Sequence, residues 1–160
     1  MKIVNKRAKF DYEIREKIEA GLVLTGAEVK SVRAKKVDFH GSYVKSVRGE
    51  FYVINLYIGS FQPAGSSFSH NMRDLVGVNS QNRRTRKLLL NKKEILSLET
   101  KIKAQKLTAI PLSLYTKGSK IKLEIALAKG KRKYEKKVQL KKRDQERDLI
   151  QELNPELVDY

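Results

Sequence analysis

The chain has 160 residues, a formal net charge of +17 and no cysteine. That length suggests one domain with appendages, and the missing thiols exclude disulfides and thiolate metal sites. No apolar run approaches the ~20 residues that span a bilayer.

So much positive charge repels itself in a compact state and calls for a polyanion, either nucleic acid or an anionic membrane surface. Hydrophobic residues make up 40%, enough for a core of roughly 100–120 ordered residues. The N-terminus, MKIVNKRAKFDYE, is charged throughout and lacks the apolar core of a secretion signal. A cytoplasmic protein in contact with nucleic acid is the first expectation.

Residues 1–9 carry Lys2, Lys6, Arg7 and Lys9 and read as a basic arm. Phe10, Tyr12 and Ile14 then alternate with charged residues, the period of a half-buried strand. The apolar run Leu22-Val23-Leu24 extends it, as one long strand or two with a bend near Gly21. Thr25 followed by Glu28 predicts a capping box opening a short helix, with Val29 and Val32 on one face. That helix is expected to end by 34–36.

Two strands follow, over 42–47 and 51–58, rich in β-branched and aromatic residues. Arg48-Gly49-Glu50 between them predicts a short hairpin turn. Residues 62–82 combine Pro, Gly, Ser and Asn without periodicity and predict a long exposed loop. Residues 83–93 hold six basic residues and no acid. Asn91 with Glu94 predicts a second helix, whose core stripe is Ile95, Leu98 and Ile102. Strands over 107–116 and 119–128 form a second hairpin around Lys117-Gly118. Pro111 marks an edge position or a bulge. In the last strand Ile121, Leu123, Ile125 and Leu127 face one way, and Lys120, Lys122, Glu124 and Ala126 the other.

Lys129–Arg147 holds ten Lys or Arg residues against three acids. From Tyr134 the sequence suits a helix, but Val138, Leu140 and Leu149 are too sparse an apolar face to bury. Folding on contact is the physical expectation. Taken alone, the run is either a solvated tail or an arm that follows a polyanion. Residues 148–160 reverse sign, with four acids and no base.

Five or six strands and two helices fit a mainly β, α+β fold: a small closed antiparallel barrel with flanking helices. Such barrels leave a face and several loops free for oligonucleotides. Catalytic parts are missing. His40 and His70 match no ligand set, and there is no phosphate-binding Gly loop or nucleophile elbow. No enzyme, cofactor or metal site is expected. Lys and Arg would neutralise phosphates, and Tyr or Phe would stack on bases. For Tyr43, Phe51, Tyr52 and Tyr57 ordinary sheet packing is the competing role, and for Glu28 simple helix capping.

Several separated blocks, in order, resemble the small protein B family, bacterial proteins that bind transfer-messenger RNA. They are Asn5-Lys6-Arg7-Ala8 with Asp11-Tyr12-Glu13-Ile14, EAGLVLTGAEVKSVR at 19–33, and GSYV at 41–44. TRKLLLNKKEI at 85–95, IPLSLY at 110–115 and IALAKGKRKYEKK at 125–137 complete the set. The resemblance implies an oligonucleotide-binding (OB-type) barrel over 1–133, with 62–82 as an exposed loop, and a basic C-terminal arm over 134–160. It implies binding to the tRNA-like domain of transfer-messenger RNA and entry into the vacant A site of a stalled ribosome. The arm would become helical in the empty mRNA channel. The ribosome would supply all the chemistry, and the protein would act as a monomer, away from membranes.

By the same resemblance Asn5, Lys6, Arg7, Glu28, Lys30, Arg33, Arg86, Lys87, Leu90, Lys122, Lys129, Lys131 and Lys133 would contact RNA. Tyr134, Lys136, Lys137, Lys141, Lys142 and Arg143 would form the ribosome-contacting arm. Glu135-Lys136-Lys137 stands where the family usually shows Asp-Lys-Arg. Charge is preserved, but lysine lacks the planar fork that arginine uses on phosphate. The loop at 62–82 looks longer than the family's usual link, and its segment near 70–78 could be an ornament or a further ribosome contact. Two other classes compete with ribosome rescue: a general single-strand RNA or DNA chaperone, and a structural ribosome-associated protein.

Overall fold

The computed structural model describes residues 1–60 and 81–153, with side chains through Glu146. Among these are nine strands and four helices, more than the sequence pattern predicts. The largest difference is at the N-terminus. Residues 1–9 are not a free arm. Lys2–Val4 forms β1, and Lys6–Asp11 forms helix α1, which includes Phe10. Asn5 makes this possible: its side chain accepts from the Ala8 N–H at 3.2 Å and donates to the Pro111 carbonyl at 3.0 Å.

Strand β2 runs unbroken from Tyr12 to Leu22, with a register shift between Ile14 and Glu16. Helix α2, Gly26–Arg33, opens on the predicted capping box. The hairpin of β4, Tyr43–Val47, and β5, Glu50–Ile54, turns at Arg48-Gly49, both at positive φ. The predicted single strand over 51–58 is broken at Asn55, whose φ is 59. Its end becomes β6, Tyr57–Ile58, paired in a separate ribbon with β3, Val37–Asp38. After β7, Arg86–Leu89, helix α3 spans Lys92–Gln105. Strands β8, Thr108–Lys117, and β9, Lys120–Gly130, form the second hairpin. Pro111 sits at a bulge, where the register shifts before Ser113. Helix α4 runs from Lys133 to Leu153.

The main sheet is antiparallel, in the order β1-β8-β4-β5-β7-β2-β9, and β8 also pairs with β9. The pairings therefore return on themselves through six strands. Their common interior holds Phe51, Val53, Leu114, Leu123, Ile125 and Leu127, with Val32 of α2 and Leu98 of α3 buried against it. Burial of both the helical stripe and the alternating face of β9 supplies the driving force. A second small core lies under α1. There Ala8 packs with Ile110, Leu112, Ala126 and Ala128, so the outer face of β9 turns apolar towards its end. The predicted loop over 62–82 lies outside the described residues except at its last two positions, as does the acidic end beyond 153.

Candidate nucleic-acid interface

Glu28 is the electrostatic centre of the body. The α2 capping box holds it: Thr25 N–H donates to Glu28 Oε2 at 2.8 Å, and Glu28 N–H donates to Thr25 Oγ1. Two arginines flanking the start of β7 converge on the same carboxylate. Arg84 binds it with both prongs, Nε to Oε1 at 2.8 Å and Nη2 to Oε2 at 2.6 Å. Arg86 donates from Nε to Oε1 at 2.8 Å. Burial pushes the Glu28 carboxyl up, but Arg84, the Thr25 amide and Arg86 outweigh it and hold it at about 2.

The two arginines then diverge. Arg86 has no exposed surface. Its remaining donors reach the carbonyls of Leu56 at 2.7 Å, Arg84 at 2.9 Å and Asn82 at 3.0 Å. A cation buried this way is tolerable only because each N–H is matched. Its guanidinium has no edge left for phosphate, so Arg86 positions Glu28 and Arg84 from behind. Arg84 keeps about a third of its side chain exposed, at 37%. Sequence reasoning passed over Arg84, although it lies in the basic run at 83–93. It also passed over Arg83, whose guanidinium stacks 5.3 Å from the Tyr57 ring centroid and donates to Asn55 Oδ1 at 3.2 Å.

Lys87, Leu90 and Lys122 come together on one cleft of about 770 Å³, which also includes Glu19 and Glu50. Neither lysine is bare there. Lys87 pairs with Glu50, which also accepts from the Tyr52 hydroxyl at 2.6 Å. Lys122 lies 3.4 Å from Glu19, and Lys117 lies 3.6 Å from it. Glu19 also accepts from the Tyr115 hydroxyl, a bond that pushes Tyr115 up to about 12.

Asn5, Lys6 and Arg7 line a different groove of about 760 Å³, between α1 and the 37–42 segment. Asn5 is committed to the fold. Lys6 is exposed, and Arg7 Nη1 lies 3.1 Å from His40 Nδ1. Lys30 and Arg33 lie on exposed positions of α2. Lys129 and Lys133 are exposed, while Lys131 Nζ donates to the Lys9 carbonyl and to Gln139 Oε1. In α4, Tyr134 is 75% exposed, and Lys137, Lys141, Lys142 and Arg143 are exposed with it. Lys136 turns back to Asp11 Oδ1 at 2.8 Å. Phe51, by contrast, is core, as sheet packing would have it.

The model of the family described as SmpB protein matches residues 2–155, nearly the whole chain. This chain belongs to the SmpB family. Among its relatives, the SsrA-binding protein of Sulfurihydrogenibium is 47% identical over 145 residues, covering 91% of this chain and 88% of the relative. That of Streptococcus pyogenes serotype M3 is 41% identical over 149 residues, covering 93% and 89%. A chain from a solved structure described as "tmRNA-SmpB: a journey to the center of the bacterial ribosome" superposes with a TM-score of 0.62 at 42% identity. That superposition covers 82% of this chain and 85% of that one. The SmpB match spans the sheet, the Glu28 cluster and the basic helix α4 together. No helix among the described residues is long and apolar enough to cross a membrane.

Proposed function

We propose that this chain binds the tRNA-like domain of transfer-messenger RNA and delivers it to the vacant A site of stalled ribosomes, where the nascent chain is tagged and released. The SmpB family match over residues 2–155 carries this reading, because it includes both the body and the arm. Relatives named SsrA-binding proteins and a similar chain from a solved structure whose description names tmRNA-SmpB and the bacterial ribosome support it. The protein performs no chemistry itself; it works in the cytoplasm as a monomer.

The six strands with recurrent pairing are read as an OB-type barrel, making up a body over 1–133. On that body the RNA face centres on Glu28 and Arg84, backed by Arg86. Lys30 and Arg33 of α2 extend it, with Lys87, Leu90 and Lys122 along the neighbouring cleft, where phosphate takes the two lysines over from Glu50 and Glu19. Lys6 and Arg7, set in place by the cap that Asn5 makes, add a second edge, and Lys129, Lys131 and Lys133 a third. Basic side chains of this kind fix register on phosphates, and a structured RNA is chosen by shape. The arm over 134–160 enters the empty mRNA channel, with Tyr134 stacking near the decoding centre and Lys136, Lys137, Lys141, Lys142 and Arg143 on ribosomal RNA.

A gel-shift comparison at physiological salt tests this. The tRNA-like domain should bind clearly better than single strands of equal length. Equal affinity would instead indicate a general single-strand chaperone and overturn the reading.

A further inference from the structure

The lysines and arginines of this chain are not equivalent. On the outer face of β8, β9 and β2 the charges are largely cancelled. Glu124 lies within 4 Å of Lys2 and Lys17, and Glu19 likewise serves Lys117 and Lys122. A phosphate arriving there would have to displace a carboxylate.

The groove between the C-terminal end of α3 and the β4–β5 hairpin is different. It has a volume of about 430 Å³ and an apolar floor of Val44, Ile102 and Leu107. Lys45, Arg48 and Lys103 stand on its rim, all exposed, and exposed Lys106 adjoins it in sequence. None of these four forms an ion pair among the described residues. Glu99 is the one acid of the lining, and it is held by the Ser46 hydroxyl.

Two of these cations sit where the backbone disfavours them. Arg48 has φ 52 as the first residue of a two-residue hairpin turn, and Lys106 has φ 51 as the C-cap of α3. Left-handed backbone suits Asn or Gly at such a turn and Gly at such a cap. Lys35, just past α2, adopts the same backbone at φ 60 away from this groove, so the conformation itself names no ligand; it marks Arg48 and Lys106 as positions where Asn or Gly can replace the cation without straining the fold.

We propose that this groove seats the phosphate backbone of a second RNA strand while the Glu28–Arg84 face holds the first. The commitment to RNA rests on charge complementarity: three rim cations without carboxylate partners among the described residues, around an apolar floor. The two-RNA arrangement rests on the function proposed above. The groove shares no lining residue with the Glu28 cluster or with the Lys87–Lys122 cleft, so the two strands would not compete for the same side chains.

The test uses the full chain with Arg48→Asn and Lys106→Gly combined. Both changes suit the local backbone, so the thermal unfolding midpoint should stay the same or rise. Affinity for the tRNA-like RNA should remain within about twofold of the parent. Cosedimentation with ribosomes, with and without that RNA bound, should weaken on the order of tenfold at ~0.15 M salt. The slope of log affinity against log salt should fall by about two, one per lost phosphate contact. Arg48→Lys with Lys106→Arg should retain ribosome binding. Undiminished ribosome binding by the first variant overturns the proposal. So does a loss confined to the tRNA-like RNA, or a lowered unfolding midpoint that accompanies the loss. If the parent chain shows no preference for tRNA-like RNA, the function proposed above fails; the groove is judged on the ribosome slope alone.

Discussion

Arg84 and Glu28 form a two-pronged ion pair, at 2.8 and 2.6 Å, at the rim of the body. Behind it Arg86 presses on the same carboxylate from a site with no exposure. One acid thus serves two cations of opposite accessibility, and the two should respond differently to mutation.

Glu28→Gln removes the countercharge of a buried cation. Breaking such a pair from one side typically costs ~3–5 kcal/mol, and the half-open rim reduces that to about 2–4. Arg84→Ala removes a partly exposed partner and should cost no more than about 1 kcal/mol. Urea unfolding at neutral pH should show this asymmetry, while both variants weaken binding of the tRNA-like RNA. A larger stability loss for Arg84→Ala than for Glu28→Gln would contradict the assignment.

The same carboxylate predicts a pH dependence. Its folded value is about 2 against an ordinary 4.5. A depressed acid contributes stability that is complete above about 4.5 and lost as pH falls towards 2. At ~1.4 kcal/mol per unit the full contribution is about 3 kcal/mol, and solvent at the rim reduces it to about 2. The stability gap between the parent chain and Glu28→Gln should therefore narrow between pH 5 and pH 2.5. A gap independent of pH would show that the ion pairs contribute nothing.

What the sequence made legible was local. The Thr25–Glu28 box, the hairpin turn at Arg48-Gly49-Glu50 and the stripe ending at Ile102 each lie within a dozen residues, and each formed where expected, except that Glu50 pairs with Val47 and belongs to β5. Helix α1 was not legible, because it buries only Ala8, and its partners Ala126 and Ala128 lie more than a hundred residues away. A helix that rests on alanines shows no apolar period. Arg86 reads as one more cation in a basic run. Its burial depends on carbonyls of Leu56 and Asn82 and on an acid in another element. Lys122 likewise gains Glu19 only through the register of β2 with β9, which pairs Gly21 with Lys122. Charge counts locate basic segments; cross-strand register decides which charges remain available.

The arm can be separated from the body by truncation. A chain ending at Lys133 keeps every strand and the Glu28 cluster. It should retain most of its binding to the tRNA-like RNA and lose tagging in a reconstituted translation assay. Full tagging by the truncated chain would reduce α4 to a solvated tail.

The root of that arm is tied to the N-terminal helix at Lys9, whose carbonyl accepts from Lys131 Nζ, and twice at Asp11. The Asp11 carbonyl accepts from the Lys131 N–H at 3.0 Å, and its carboxylate takes Lys136 Nζ at 2.8 Å. The backbone bond survives any substitution, whereas the ion pair does not, so Asp11→Asn isolates the second. Both partners are about one-third exposed, at 33% and 35%, so the pair is worth at most about 1 kcal/mol. Overall stability should hardly change. Its effect is local, because helix α4 has little apolar surface on the body and few other ties there: Tyr134, Val138 and Leu140 are all exposed. Hydrogen exchange of amides 133–139 should speed up severalfold in Asp11→Asn, with amides of β2 and β9 unchanged. Unaltered exchange at 133–139 would mean that Lys131 and the Glu135 cap on Arg132 already hold the root without the ion pair.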